Sequence, residues 1–279
     1  MSPAARAEAP KPAAGGAQTV RRALALLRLV ATGQEQGLRL ADLTLMSGLH
    51  RPTVHRLLKV LIDESAVEQD PATRRYRVGP EMLLLGLARP GGLPLRAVAD
   101  TYLQTLARQI GDTVFLSLRH GADSVCIARH TGGHPIQVLS IEVGVRRPLG
   151  ASVSGVVLLA GLPPAQAHAL MQANAVRLAH LGIDVDELER RVQQARRAGH
   201  AHATQGVVSG TSALAVPVHD GEGRLVAAIS VAALSARLDR RRLPEVRALM
   251  IEQALALGRR LQELGAARAR PRRDRPAVT

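Results

Sequence analysis

Apolar and polar residues alternate along the chain with two periods, one helical and one of strands. From Thr19, the residues Val20, Leu24, Leu27 and Val30 recur at helical spacing, with Thr19 placed to cap the helix and Thr32-Gly33 to end it. Leu38-Arg39-Leu40 reads as a short extended piece. Ala41–Met46 reads as a short helix stopped by Ser47-Gly48. A further helix starts near Pro52, because proline suits a first helical turn, where its missing N–H costs nothing. Val54, Leu57, Leu58 and Leu61 make one apolar stripe along it. Ala66–Gln69, the turn Asp70-Pro71-Ala72-Thr73 and Arg74–Val78 then have the pattern of a β-hairpin, closed by Gly79-Pro80.

Beyond this unit Glu81–Ala88 reads as a helical linker broken by Arg89–Pro94, and Leu95–Ile110 as a helix. Val114–Arg119, Ser124–Arg129 and Ile136–Ile141 predict strands, whereas Ser154–Leu162, Pro164–Ala173 and Asp186–Ala198 predict helices. Ala213–Val218 and Leu225–Val231 flank Asp220-Gly221-Glu222-Gly223 as a second hairpin, and a last helix runs from Pro244 to about Leu264. Strands and helices mix without regular βαβ alternation, so the fold class is α+β. Residues 1–18, rich in Ala, Pro and Gly, read as a disordered arm, and the Arg-rich residues 265–279 as a disordered tail. The expected organisation is the arm, a helix-turn-helix unit over 19–80, a linker over 81–94, a second domain over 95–264, and the tail.

The order helix, glycine turn, helix and basic hairpin is that of a winged helix-turn-helix. In such a motif the second helix enters the major groove of duplex DNA, so its apolar stripe must pack backwards and its other face must meet the bases. That face carries Thr53, His55, Arg56 and Lys59, and His50 and Arg51 lie in the turn leading into it. On the hairpin, Arg74 and Arg75 suit phosphates or the minor groove.

Charge adds less than its size suggests. The chain of 279 residues has a net charge of +14, but only Lys11 and Lys59 are lysine and the excess is spread along the sequence. Residues 19–79 hold ten Lys/Arg and six Asp/Glu, a net of +4. The aromatics Phe115, Tyr76 and Tyr102 are too few for a platform that stacks single-stranded bases, which leaves duplex DNA as the better polyanion. Cys126 is the sole cysteine, so no intrachain disulfide forms. The N-terminal residues lack the apolar core of a signal peptide and runs such as Val156–Ala160 are too short to span a bilayer, so a cytoplasmic protein with no membrane partner is expected.

Other constellations carry less. Cys126, His130 and His134 have a spacing that suits a helix face, but the stretch reads as strand and loop, so no metal is expected. His200 and His202 form only a pair. Gly150-Ala-Ser-Val-Ser-Gly155 is not a nucleophile elbow, Gly221-Glu-Gly223 is a turn and not a phosphate loop, and no carboxylate pair stands in a catalytic context. No cofactor and no enzymatic activity are expected. An enzyme fused to a targeting domain, or a sensor that uses its helical domain for protein contacts, stays open as the alternative.

The motifs occur in an order that resembles the IclR family of bacterial transcriptional regulators. The likeness is carried by Val20-Arg-Arg-Ala-Leu-Ala-Leu-Leu27, Leu40-Ala-Asp-Leu43, Ser47-Gly-Leu-His-Arg-Pro-Thr-Val-His-Arg-Leu-Leu58 and Tyr76-Arg-Val-Gly79. It continues in Arg146-Arg-Pro-Leu-Gly-Ala-Ser-Val-Ser-Gly155, in Ala198-Gly-His-Ala201, and in Ala213–Val218 followed by Ala227–Val231, covering about residues 19–262. The resemblance implies a GAF-like C-terminal domain that binds a small organic effector, often a carboxylate or aromatic metabolite. It also implies a homodimer or tetramer on palindromic double-stranded operator DNA. The family's effector-lining positions fall on Ile136, Val153, Ser154, Ala203, Ala213, Ser230 and Ala232. Gly150 stands where the family usually has histidine and Val156 where it usually has lysine. Only Ser154 and Ser230 offer hydroxyls, which favours a larger, more apolar effector such as an aromatic acid. Backbone N–H groups at the start of the helix near residue 154 remain available to an anion.

Overall fold

The computed structural model describes residues 14–87 and 95–269. The chain divides into two units between Pro90 and Gly91. Residues 1–13 of the expected arm, the expected linker break at 89–94 and residues 270–279 of the expected tail lie outside the described residues.

In the first unit α1 (Ala14–Thr32), α2 (Leu40–Ser47) and α3 (Arg51–Asp63) precede a hairpin of β1 (Val67–Gln69) and β2 (Tyr76–Val78), and α4 (Glu81–Leu87) follows. One core joins them: Leu26 and Val30 of α1, Leu43 of α2, Val54, Leu57 and Leu58 of α3, and Val67 and Tyr76 of the hairpin. The helix over 14–32 differs from the sequence expectation in two ways. It starts five residues before Thr19, in Ala14-Gly-Gly-Ala-Gln18, where the absence of an apolar period hides the extension and the two glycines disfavour it. Its buried face is Leu26 and Val30 with Ala23 and Leu27, while Val20 and Leu24 stay exposed. Leucines at 24, 26, 27 and 29 offer two overlapping stripes, and packing against α2 and α3 selects one.

Gly48 closes α2 in the left-handed region (φ 65°), which gives the sharp turn into α3. The hairpin is tied to the helices by Leu38, whose N–H donates to Tyr76 O and whose carbonyl accepts from Tyr76 N. Gly79 ends it because a Cβ there would come within 2.2 Å of Ser65 O, so the last residue of the Tyr-x-x-Gly motif must have no side chain.

The second unit is an antiparallel six-stranded sheet in the order β5-β4-β3-β8-β7-β6. Its strands are β3 (Thr113–His120), β4 (Asp123–His130), β5 (Arg146–Pro148), β6 (Ala201–Ala203), β7 (Thr211–His219) and β8 (Leu225–Leu234). Strand alternation gives the sheet two unlike faces. Val114, Leu116, Leu214, Val216, Ile229 and Val231 pack against α5 (Leu95–Ile110) and α10 (Leu243–Ala269). The opposite face carries small residues, among them Ala213, Ala215, Ala228, Ser230 and Ala232. There α6 (Val153–Ala160), α7 (Pro164–Ala173), α8 (Ala175–Ala179) and α9 (Val185–Ala198) form a second cluster. Large residues fill one side of the sheet. On the other, small residues leave space beside α6. The fold class is α+β, and α10 runs through Gly265–Ala269, which the sequence pattern assigns to the tail.

The strand expected at Ile136–Ile141 is a loop. The Gln137 amide explains it: Nε2 donates to the carbonyls of Gly111, Gly132 and His134, and Oε1 accepts from Thr113 Oγ1. The neighbouring edge of β4 is meanwhile met by Arg146–Pro148 and by the backbone of Gly144 and Val145. Only Val138 of the segment is buried, with Phe115 and Cys126.

Candidate DNA interface and ligand cavity

Arg51, His55, Arg56 and Lys59 lie exposed along α3 opposite Val54, Leu57 and Leu58, and Thr53 is half-buried. His50 is the residue before the helix, in extended conformation. None of Arg51, Arg56 and Lys59 has an ion-pair partner among the described residues. An open cleft of about 790 Å³ lies between the start of α2, the start of α3 and the hairpin. Arg39, Arg51, His55, Gln69, Thr73 and Arg74 line it together with Tyr76, and no carboxylate does.

The two hairpin arginines part company. Arg74, in the left-handed region (φ 58°), reaches the cleft. Arg75 does not line it: its Nη1 donates to Gly37 O at 2.9 Å, so it fastens the hairpin to the turn after α1. The hairpin turn is built on Asp70, whose Oδ1 accepts from the N–H groups of Ala72 and Thr73 at 3.0 and 2.7 Å. The Thr73 hydrogen bonds are the main cause of a carboxyl pKa below its ordinary value. Arg39, in the cleft, was not singled out from the sequence. Its position just before a helix that packs on α3 is the signal that points to it.

The second unit holds a cavity of about 410 Å³ between the small-residue face of the sheet and α6 and α9. Val153, Ser154, Ala203, Ala213, Ser230 and Ala232 line it, six of the seven positions named from the family resemblance. Ile136 lies outside it and is 57% exposed, because the segment expected as a strand is a loop. Ser154 Oγ donates to Ser230 Oγ at 2.9 Å, so the two buried hydroxyls are joined. Ser152 caps α6, accepting from Gly155 N, and Val156 N donates to Ser152 O. The N–H groups of Val153 and Ser154 have no partner among the described residues. They leave the positive end of α6 available to an anion.

Gly150 explains a departure from the family pattern. Its φ is +99°, and a Cβ would come within 2.3 Å of Leu188 on α9. Leu188 occupies the space a side chain at 150 would need, and a histidine there has no room.

The cavity is more polar than its family-derived residues suggest, because two arginines line it. Arg147, half-buried, donates from Nη2 to Ser140 O at 3.2 Å, and burial holds its pKa below the ordinary guanidinium value. Arg191 comes from α9. Both had a signal in the sequence. Arg146 and Arg147 are successive strand residues, so one of them must point inward. Arg191 stands three residues after Leu188 and four before Ala195, on the buried stripe of α9.

His130, His134 and Cys126 are held apart by other contacts, and His202 Nε2 is buried without a hydrogen-bond partner among the described residues. His130 Nε2 meets Asp100 Oδ1 at 2.9 Å, His134 Nδ1 is bonded to its own loop at Ile136, and Cys126 is buried with its thiol pushed up to about 11 by desolvation. Among the described residues no three His, Cys, Asp or Glu side chains gather as metal ligands.

Comparison with known proteins agrees with both units. Residues 19–71 match the IclR helix-turn-helix domain, and residues 91–259 match the C-terminal region of the bacterial transcriptional regulator IclR. The chain is 32% identical over 247 residues to the HTH-type transcriptional regulator XynR of Escherichia coli K12, spanning 88% of this chain and 97% of that one. A crystal structure of an IclR regulator from Silicibacter sp. TM1040 superposes with a TM-score of 0.68 at 27% identity, covering 88% of this chain and 96% of that one. An IclR homologue from Microbacterium hydrocarbonoxydans, solved with 4-hydroxybenzoate, shares the fold at a TM-score of 0.66 and 21% identity, covering 88% and 99%. The helix-turn-helix, the sheet domain that follows it in sequence and these likenesses together make the chain a member of the IclR family of DNA-binding transcriptional regulators, and not an enzyme.

Proposed function

We propose that this regulator binds operator DNA through the exposed face of α3 and the adjacent cleft, and that an organic acid in the cavity of the second unit modulates that binding. On DNA, Thr53, His55, Arg56 and Lys59 meet base edges and nearby phosphates, with His50 and Arg51 at the helix start. Arg74 meets phosphate from the hairpin, and Arg75 positions the hairpin without touching DNA. The functional division is residues 19–80 for DNA binding, 81–94 as linker and 95–264 for effector binding and assembly. The working form is a homodimer or tetramer in the bacterial cytoplasm, matched to a palindromic operator. Exposed Val20, Leu24, Leu83, Leu84 and Leu85 support assembly, since such residues on two helices of one small unit favour cover. Among the described residues no helix is long and apolar enough to cross a membrane.

The observation that carries the effector reading is a cavity lined by Arg147, Arg191 and the first residues of α6, Val153 and Ser154, with no carboxylate among its walls. Its volume falls in the range of small-molecule sites, roughly 300–1,000 Å³. The homologue crystallised with 4-hydroxybenzoate shows the kind of acid one protein of this fold was solved with. The lean toward an apolar effector shifts accordingly: an acidic group is required, and Phe115, Ile141 and Ile183 provide apolar wall for its body. Thermal-shift screening of the full chain against small organic acids and their uncharged amides tests this. Acids stabilise the protein and amides do not; equal stabilisation by both contradicts the reading.

A further inference from the structure

Among the described residues of the second unit, the other half-buried arginines, Arg129, Arg237 and Arg242, are each matched with an acid. Asp112, almost fully buried, takes Arg237 Nε at 2.7 Å and Arg242 Nη1 at 2.8 Å. Arg129 meets Glu142 at 2.8 Å. Arg147 and Arg191 break that pattern. Neither has an acidic partner among the described residues, and the cavity they share contains no Asp or Glu side chain. Two guanidinia lining one cavity repel each other, and Arg147 has lost part of its hydration to burial. A single carboxylate compensates one of them. Two carboxylates compensate both, each able to take two parallel N–H···O bonds.

We infer that the effector is a dianion: a small dicarboxylic acid with a short apolar body, one carboxylate held by Arg147 and the other by Arg191. This rests on the reading of the cavity as the effector site. The α6 N–H groups and the Ser154–Ser230 pair add hydrogen-bonding capacity for either end. Phe115, Ile141 and Ile183 contact the body between the ends. A charge-assisted hydrogen bond contributes about ten- to hundredfold in affinity, so the second carboxylate is worth about tenfold or more over a monoacid of the same skeleton.

The experiment is calorimetric titration of the full chain with two matched pairs, glutarate against butyrate and terephthalate against benzoate, at constant ionic strength. The expected result is that at least one diacid binds about tenfold or more tightly than its monoacid. Arg191→Gln then brings the diacid's affinity down to that of its monoacid and abolishes the diacid advantage. Arg147→Lys keeps the charge but loses the paired N–H···O geometry, and so retains only part of the diacid advantage. Monoacids that bind as tightly as diacids, or a diacid advantage that survives Arg191→Gln, overturn the dianion and leave an acid effector standing. Failure of all four acids to bind overturns the acid-effector reading together with it.

Discussion

The two units use arginine at different depths. In the first, Arg39, Arg51 and Arg74 line an open cleft, and Arg51 and Arg74 are exposed to water. In the second, Arg147 is half-buried in a cavity of about half the volume. An exposed guanidinium is hydrated and needs no fixed counter-ion. It attracts a phosphate polymer with a strength set by salt, because binding releases the polymer's condensed ions. An enclosed guanidinium has lost part of that hydration and calls for a discrete anion of matching shape. Depth alone therefore separates a surface for DNA from a site for a small acid.

The strongest way to break this comparison is to unfold one side of it. Leu58→Ala removes a fully buried side chain from the N-terminal core and costs about 2–5 kcal/mol. Calorimetric melting shows that transition lowered, and DNA affinity falls while acid binding persists. Gly150→Ala attacks the other side. It forces a Cβ onto Leu188 at a positive φ, costs about 1–3 kcal/mol, and weakens acid binding with the N-terminal transition in place. Within the DNA surface, Arg56→Ala costs about 1–3 kcal/mol and relaxes base preference in a binding-site selection, whereas Arg74→Ala or Arg39→Ala lowers the salt slope of binding by about 1 and leaves preference alone. Arg75→Ala leaves the slope unchanged and increases hydrogen exchange at Tyr76 and Leu38, since it frees the hairpin from Gly37.

The smallest effect is the Asp70 turn. Its folded-state pKa lies below the ordinary 3.8, so the unfolded chain takes up the proton first. The stabilisation is present above pH about 3.8 and is lost as pH falls through the folded value. Asp70→Asn removes this pH dependence from the melting curve and has little effect on melting below that window.

Much of this was legible in the sequence, for a physical reason in each case. The turn at Gly48 and the stripe on α3 show because a helix that packs on one side must repeat its apolar residues, and a sharp turn needs a glycine. The α5 and α7 boundaries show for the same reason. The loop at Ile136–Ile141 was hidden, because its conformation depends on one glutamine amide reaching three carbonyls distant or near in sequence. The α1 face was ambiguous, because four leucines in six residues support two registers. At Arg75 the identity of the residue suits DNA, but the contact with Gly37, 38 positions away, is tertiary. The cavity's charge was overlooked because small residues mark where a ligand fits, while Arg147 and Arg191, on neighbouring elements, mark what it must carry.

The most direct measurement is the affinity for a duplex covering the DNA upstream of the protein's own gene, by fluorescence anisotropy, with and without a saturating dicarboxylate from the calorimetric panel. Coupling between the two sites predicts a shift in Kd of about fivefold or more in the wild type and none in Arg191→Gln at the same acid concentration. A Kd that does not move while the cavity is demonstrably filled, or that moves equally in the variant, contradicts it.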